Sequence, residues 1–523
     1  MIHIDAAEGF EGVLLYIWHN LFIIYRPGVL CNADPFPPEK NRKRSERKEM
    51  EKPKVTESLI TNYALGQAMN TMAFTVPTLF LTVFMTDYLG ISPVAMANGM
   101  FIARLVDFVV SIVAGMIIEK VHMKHGKYLS WIRLLTATLF FGNIVQMLDT
   151  TPFVKNATAR LVIVMIFYMM FHCSMNFNAT SRAAILPKFC GADMELRKKF
   201  TARQTQLGAL VSIFGSAIIV PLVNFVAKVT GQESLGYFIG ALIFSGLFVV
   251  FNLMFCKQAA PFDPPEDAAA AARRTPTVGQ MVESLVTNPQ MLILFGCFTI
   301  FTMGNQVYAG VTTYFFRVTG NFSRYSFALT ARAVCAFVAS MVAPPLARKL
   351  GKKAALVTGW SIVAIAGLII KFFCFRNGQA NIVLMTVCMC LFQAALYLYM
   401  GFMAVMYLDC GEYGYYKSGI DNRTMAVTVM NWPTKIGFMF GGSIVGYMLA
   451  WAGYDAAGGV NGAQGAFADM GKFMTTMGII PAIGAGIAAV CIFLFYKLDD
   501  KTVAEYAKAN VEREAAEKAA EGK

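Results

Sequence analysis

Arg104 and Asp107 lie in the middle of an apolar stretch running from about Pro93 to Ile118. An ionised side chain at mid-bilayer costs roughly 2.5–3.5 kcal/mol on insertion scales, so such residues need a partner or a use. Three positions apart, the two share a helix face, which Ser111 extends. Two readings follow: a carboxylate that takes up a cation or proton, or an Arg–Asp pair that neutralises itself and fixes packing. A second charge in apolar surroundings is Lys435, which closes a stripe of Thr424, Thr428 and Asn431 at spacings of four, three and four. Further polar residues recur in other apolar stretches: Tyr63, Gln67, Asn70, Thr71 and Thr78; His172, Asn176, Asn178 and Arg182; Arg203 and Gln206; Thr302, Asn305, Gln306 and Thr313; Gln393 and Tyr397. A polar stripe on an apolar helix must face protein or a water-filled cavity. Amides and hydroxyls offer the donors and acceptors that sugar hydroxyls need, and Tyr397 or Trp432 could stack on a sugar ring. An isolated Asn or Thr reads rather as interhelical glue, worth about 0.6 kcal/mol, whereas Asp107 and Lys435 do not. His172 reads as a packed interhelical histidine, while Lys371, Arg203 and Arg332 read as side chains near span ends that snorkel.

The elements that position these residues follow from composition. Hydrophobic residues make up 56% of the 523 and charged residues only 15%, against about 25% charged in a soluble domain. This is the profile of an all-α, multi-pass membrane protein. Apolar runs long enough to span a bilayer fall near 60–86, 94–118, 129–148, 159–182, 203–226, 235–256, 289–316, 324–346, 354–375, 380–407, 424–451 and 472–496. They predict twelve transmembrane helices in two six-helix bundles, 58–256 and 289–496, around a central cavity. The interval 257–288 reads as a cytoplasmic linker and 497–523 as a cytoplasmic tail. The net charge of +13 suits membrane orientation rather than nucleic acid. Basic clusters such as Lys120/Lys124/Lys127, Lys188/Arg197/Lys198/Lys199 and Arg348/Lys349/Lys352/Lys353 alternate with loops holding only isolated charges, including Lys155, Lys228 and Arg317. That is the positive-inside pattern, and it puts both termini in the cytoplasm. Residues 1–57 stand apart: the patch Val13–Ile24 is too short to span, and its basic run follows the apolar part, the reverse of a signal peptide. Met50 looks like a natural start, so the first 49 residues read as an upstream extension, or else as a disordered or interfacial tail.

No nucleotide-binding loop, dinucleotide fingerprint, zinc-protease motif or nucleophile elbow is present, and no Cys/His cluster has metal-ligand spacing. An enzyme is therefore not expected, nor a metal or cofactor. Uphill movement of a solute would have to draw on an ion gradient. Twelve spans in two halves point to a carrier whose halves rock about a central site.

Three segments carry a family likeness: TDYLGIS…FIARLVDFVVSIVAG…KHGKYLSWI, LPKF…ELRKKFTARQTQLGAL, and DCGEYGYYKSGIDNRTMAVTVMNWPTKIGFMFGGSIVGYML. With the tail YKLDDKTVAEY, the chain after Met50 resembles the glycoside–pentoside–hexuronide:cation symporters of the major facilitator superfamily, typified by melibiose permease. The resemblance implies cation symport of a sugar, glycoside or hexuronide by alternating access, in a cell (inner) membrane. It assigns Asp107, with Ser111 and Lys435, to cation coupling, H+ or Na+. Arg203 takes the place of a sugar-site arginine, and Arg104 that of the family's second-helix arginine. Gly126 and Lys127 match a cytoplasmic gating loop, to which Asp409, Glu412 and Arg423 are added as candidates. The candidate solute site comprises Gln67, Asn70, Thr71, Asn178, Arg182, Arg203, Asn305, Gln393, Tyr397, Asn431 and Trp432.

Departures from the family pattern shape the expectation further. Ser111 and Thr71 stand where the family has aspartates, and the fourth-span aspartate falls at about Ala179. Asp107 is then almost alone as an intramembrane acid, which disfavours a carboxylate-built sodium site and leaves proton coupling open. Arg182, Arg203 and Lys435 would make the cavity positive and favour a sugar acid. The expected partners are thus a small sugar or sugar acid and the lipid bilayer, with the chain acting as a monomer. Competing readings are an uncoupled facilitator, a carrier of another organic solute, and a transporter-like sensor that moves nothing.

Overall fold

The structure, a computed structural model, describes residues 54–121, 123, 126–191, 193–264, 278–419, 426, 429–455 and 465–521. The proposed upstream segment 1–49 and Arg423 lie outside the described residues. The chain divides into two units, Met1–Thr56 and Glu57–Lys523, and everything below concerns the second.

Its helices are α1 Glu57–Val83, continued by a π turn Phe84–Tyr88, α2 Pro93–Lys120, α3 Lys127–Val145, α4 Ala157–Cys190, α5 Met194–Thr230 and α6 Glu233–Ala259. After them come a short α7 Val278–Thr287, then α8 Pro289–Val318, α9 Phe322–Leu350, α10 Lys352–Phe373 and α11 Ile382–Ser418. The last are α12 Trp432–Trp451, α13 Met470–Phe495 and the tail helix α14 Asp500–Glu521. Two tiny hairpins, Phe375–Arg376 with Gln379–Ala380 and Tyr454–Asp455 with Ala466–Phe467, close two of the turns. The starts are set by side-chain caps: Ser92, Asn156, Asp193, Asn288, Asn381 and Asp469 each accept hydrogen bonds from first-turn amides, satisfying donors the helix leaves free.

Among the described residues eleven helices are long and apolar enough to cross a membrane. The twelfth expected span, α12, falls short in composition because its 20 residues include Lys435, Pro433 and four glycines. Several helices outrun the expected spans: α4 continues to Cys190, α5 begins at Met194 and α11 reaches Ser418. Hydropathy locates only the apolar middle, whereas Lys, Glu and Arg propagate a helix well beyond it. The linker expected over 257–288 is likewise partly helical, since α6 runs to Ala259 and α7 occupies Val278–Thr287.

Within the first six helices, α1 packs on α5 and α6, and α4 on α2 and α3; among the later ones, α13 packs on α8 and α10, and α11 on α9. The two sets meet along α2–α12, α5–α9 and α1–α8. We call the end holding α14 the tail side and the opposite end the far side. Lipid-facing surface is apolar, as on α2, where Ile102, Leu105, Val106 and Val109 stay exposed on the faces away from Arg104 and Asp107. The α2–α12 seat depends on Gly446, where any Cβ would run into the Pro93 carbonyl oxygen and the Ala97 methyl. Gly446→Ala should therefore overpack the seam, at about 1–3 kcal/mol, and lower the thermal midpoint in detergent. Gly246→Ala, which would meet open space, should not lower it.

Candidate functional site

At the seam, α2 and α12 bring the two expected coupling charges together. Lys435 Nζ lies 2.8 Å from Asp107 Oδ2 and donates to Asn176 Oδ1 at 2.8 Å. Asn176 of α4 donates back to Asp107 Oδ1 at 2.7 Å. Asp107 is 1% exposed, so its carboxylate is held by a cation from the other half and an amide from its own. The self-neutralising Arg104–Asp107 pair does not form. Arg104 instead lies between the rings of Tyr168 and Phe438, 5.2 Å from each centroid. Ser111 is turned back on its own helix, donating to the Phe108 carbonyl at 2.7 Å.

Beside this bridge is a small cavity of about 30 Å³ between the halves. Its wall is made by α1 (Pro77, Thr78, Leu81, Thr82), α2 (Met100, Arg104), α4 (Tyr168, His172), α8 (Gln306, Gly310) and α12 (Gly442, Val445). None of the eleven candidate solute-site residues is in that wall. Trp432 is near, edge-on to Phe108 of α2 at 6.2 Å. Gln67, Asn305, Gln393 and Tyr397 are half-buried, Asn70 and Asn178 are buried, and Thr71 and Asn431 are exposed. Thr71 donates to the Gln67 carbonyl, and Asn70 points at the Met175 sulfur.

The positive cavity expected from Arg182, Arg203 and Lys435 is not assembled. Arg182 is sealed inside the first bundle, donating to the Tyr63 carbonyl and Asn252 and flanked by the rings of Tyr63 and Phe255. Arg203 lies 3.7 Å from Glu57 on the tail side, and Lys435 is held by Asp107. A helical period tells which residues share a face, not which neighbouring carbonyl will claim them. Arg332 is also no span-end side chain: it sits ten residues inside α9.

The loop candidates group on the tail side. Gly126 has φ +100°, and a Cβ there would strike the Asp263 carbonyl oxygen. Asp263 Oδ2 accepts from the Tyr128 and Leu129 amides at 2.8 Å each, and its other oxygen meets Lys188 Nζ at 2.7 Å. Lys127 lies over the Tyr128 ring at 5.6 Å. Asp409 pairs with Lys352 at 2.5 Å, and Glu412 accepts from Asn510 of α14 at 2.8 Å.

On the far side a cluster that the sequence reading missed joins the halves. Arg317 of α8 pairs with Glu233 of α6 at 2.6 Å and with Asp87 at the end of α1 at 3.4 Å. Tyr454 donates to Asp87 Oδ1 at 2.7 Å. Thr86 meets Tyr314, Thr82 reaches the Gly310 carbonyl, and Thr313 reaches that of Leu79. Asp87 is 3% exposed, a buried acid besides Asp107, Asp263 and Asp409. It adjoins a turn, so hydropathy placed it and Arg317 in loops.

The family described as MFS/sugar transport protein matches residues 62–500, and the chain belongs to it. It is a multi-pass membrane transport protein and not an enzyme. An isoprimeverose transporter of Lactiplantibacillus pentosus is 25% identical over 446 residues, 84% of this chain and 88% of its own. The inner membrane symporter YicJ of Escherichia coli K12 is 24% identical over 452 residues, 85% and 93% respectively. The crystal structure of a D-xylose-proton symporter superposes with a TM-score of 0.58 at 14% identity, over 84% of this chain and 98% of that one; this likeness concerns the fold, that of the major facilitator superfamily.

Removing one partner of a buried ion pair leaves an uncompensated charge and costs about 3–5 kcal/mol. Arg317→Gln should strand Asp87 and depress thermal stability by that order. The double variant Asp87→Asn/Arg317→Gln should recover part of the loss, and a double-mutant cycle in detergent measures how much.

Proposed function

We propose that this chain is a secondary active transporter that carries a sugar or glycoside together with H+ or Na+ by alternating access. The observation that carries the reading is the Asp107–Lys435 bridge across the seam, with Asn176 on both partners. A cation or proton arriving at Asp107 competes with Lys435 for the same oxygens. Occupancy then weakens a contact between the halves, which is the link that symport requires between ion binding and opening. The polar side chains in the wall of the adjoining cavity, among them Thr78, His172 and Gln306, support a hydroxylated solute, as do the transporters and symporters among the relatives. The basic loops favour a cytoplasmic tail side. Because both faces of the seam come from one chain, a monomer suffices. Described links between the halves, such as Tyr447 with Asn98 and Ser326 with the Ala217 carbonyl, gather from mid-span to the far side. We read this as a carrier closed on that side.

Purified protein in liposomes should accumulate a sugar or glycoside only under an imposed proton or sodium gradient. Asp107→Asn should abolish accumulation while solute exchange persists. Full accumulation by that variant would sink the coupling role, and gradient-independent uptake by the unaltered protein would identify a facilitator instead.

A further inference from the structure

A file of hydroxyls runs along α1 from the far-side cluster to the cavity. Thr78, Thr82 and Thr86 stand four residues apart and so share one helix face. Thr71, Thr75 and Thr78 each spend their proton on the carbonyl one turn back in their own helix. Further along, the pattern changes. Thr82 donates across the seam to the Gly310 carbonyl. Thr86 Oγ1 lies 2.8 Å from Asp87 Oδ1 and 2.9 Å from the Tyr314 hydroxyl of α8. Tyr314, fully buried, also hydrogen-bonds Thr82, and Thr82 and Thr78 are in the cavity wall. Asp87, Thr86, Tyr314 and Thr82 therefore form one hydrogen-bonded series that crosses from α1 to α8 and back. Every link between the carboxylate and the cavity is a hydroxyl, which both donates and accepts and whose proton can rotate.

Both ends of the series suit a proton. At the far end, Asp87 and Glu233 share the guanidinium of Arg317, so a proton arriving there meets two negative charges for one positive. Tyr88 under the guanidinium, Tyr237 on Glu233 and Tyr454 on Asp87 complete the group. The Glu233 side chain is 21% exposed and gives the cluster an edge in solvent. At the near end, a cavity of about 30 Å³ has room for about two water molecules, with Thr78, Arg104, His172 and Gln306 as donors and acceptors around them. Arg104 stands one turn before Asp107 on α2. His172 stands one turn before Asn176 on α4, and Asn176 donates to Asp107.

We propose that Asp87, Thr86, Tyr314 and Thr82 are a proton wire between the far-side surface and the cavity beside Asp107. This rests on the transport reading above and on its H+ branch. A proton taken up by the Asp87 carboxylate passes to Thr86 Oγ1 as Thr86 hands its own proton to Tyr314. Tyr314 hands its own to Thr82, and Thr82 releases its own to water in the cavity. Each hydroxyl ends with one proton, the carboxylate is ionised again, and one proton has moved inward. The wire passes a proton through a side that is closed to a solute. While Lys435 holds Asp107 the proton finds no carboxylate beyond the cavity, so delivery waits on the opening of that bridge.

The test uses the full chain in liposomes that hold a pH-sensitive dye, with the outside acidic. It reads proton entry on addition of methyl β-glucoside, methyl β-xyloside or methyl β-glucuronide, at least one of which should bring protons in with it. Tyr314→Phe and Thr86→Val, which keep the shape and lose the hydroxyl, should each slow that proton entry at least tenfold. Exchange of the labelled probe at equal pH on both sides, which moves no net proton, should change less than twofold. Thr86→Ser, which returns the hydroxyl without the methyl group, should recover most of the rate. Undiminished proton entry in both hydroxyl-free variants overturns the wire. So does an equal loss in Thr86→Ser and Thr86→Val, or a loss of exchange in step with proton entry, since either is the mark of a packing role. Probe entry that draws on sodium and moves no protons overturns the wire and leaves the symport reading standing, whereas entry of none of the three overturns both.

Discussion

The structure depends on one constraint: a charge inside a low-dielectric bundle must be answered. Asp107 is answered from the other half of the molecule by Lys435, and Asn176 touches both. Because the carboxylate lies on α2 and the ammonium on α12, the electrostatic requirement is also a requirement on how the two sets of helices sit together. At 1% exposure Asp107 has no water to fall back on, and anything that changes its charge or its partner acts on the seam.

The far side answers the same constraint differently. Around Arg317 the charges come from α1, α6 and α8, and Tyr454 adds a hydrogen bond from the turn after α12. Hydroxyl-to-carbonyl bonds then continue along α1 and α8. The mid-span bridge and this cluster differ in kind. One is a single carboxylate close to the cavity, one turn along α2 from Arg104 in its wall. The other is a packed group of two acids, an arginine and tyrosines that satisfy one another.

Much of the architecture was legible in the residues, and the site less so. Apolar length alone located the spans, and the charges inside them named Asp107 and Lys435, because few residues are so out of place in a bilayer. What periodicity could not supply was direction. Thr71 and Asn431 share the polar stripes yet are exposed, and Arg182 shares its stripe with Asn178 yet spends its donors inside its own bundle. Conversely, Thr78, His172 and Gln306 sit in the same stripes and do face the cavity. Asp263 was hidden in a run of Pro and Ala that reads as linker, and its role depends on the two amides at the start of α3, which only the fold brings to it.

That attachment of Asp263 bears on how the halves are joined. With one carboxylate oxygen on the Tyr128 and Leu129 amides and the other on Lys188, the chain leaving α6 is stitched back onto the first bundle before it crosses to the second. The leash between the bundles therefore begins at Asp263 rather than at the end of the apolar run, and it is anchored next to the loop that carries Gly126. Through these bonds Asp263 ties the end of the first bundle to the start of α3 and, by way of Lys188, to the end of α4, the helix that also holds Asn176.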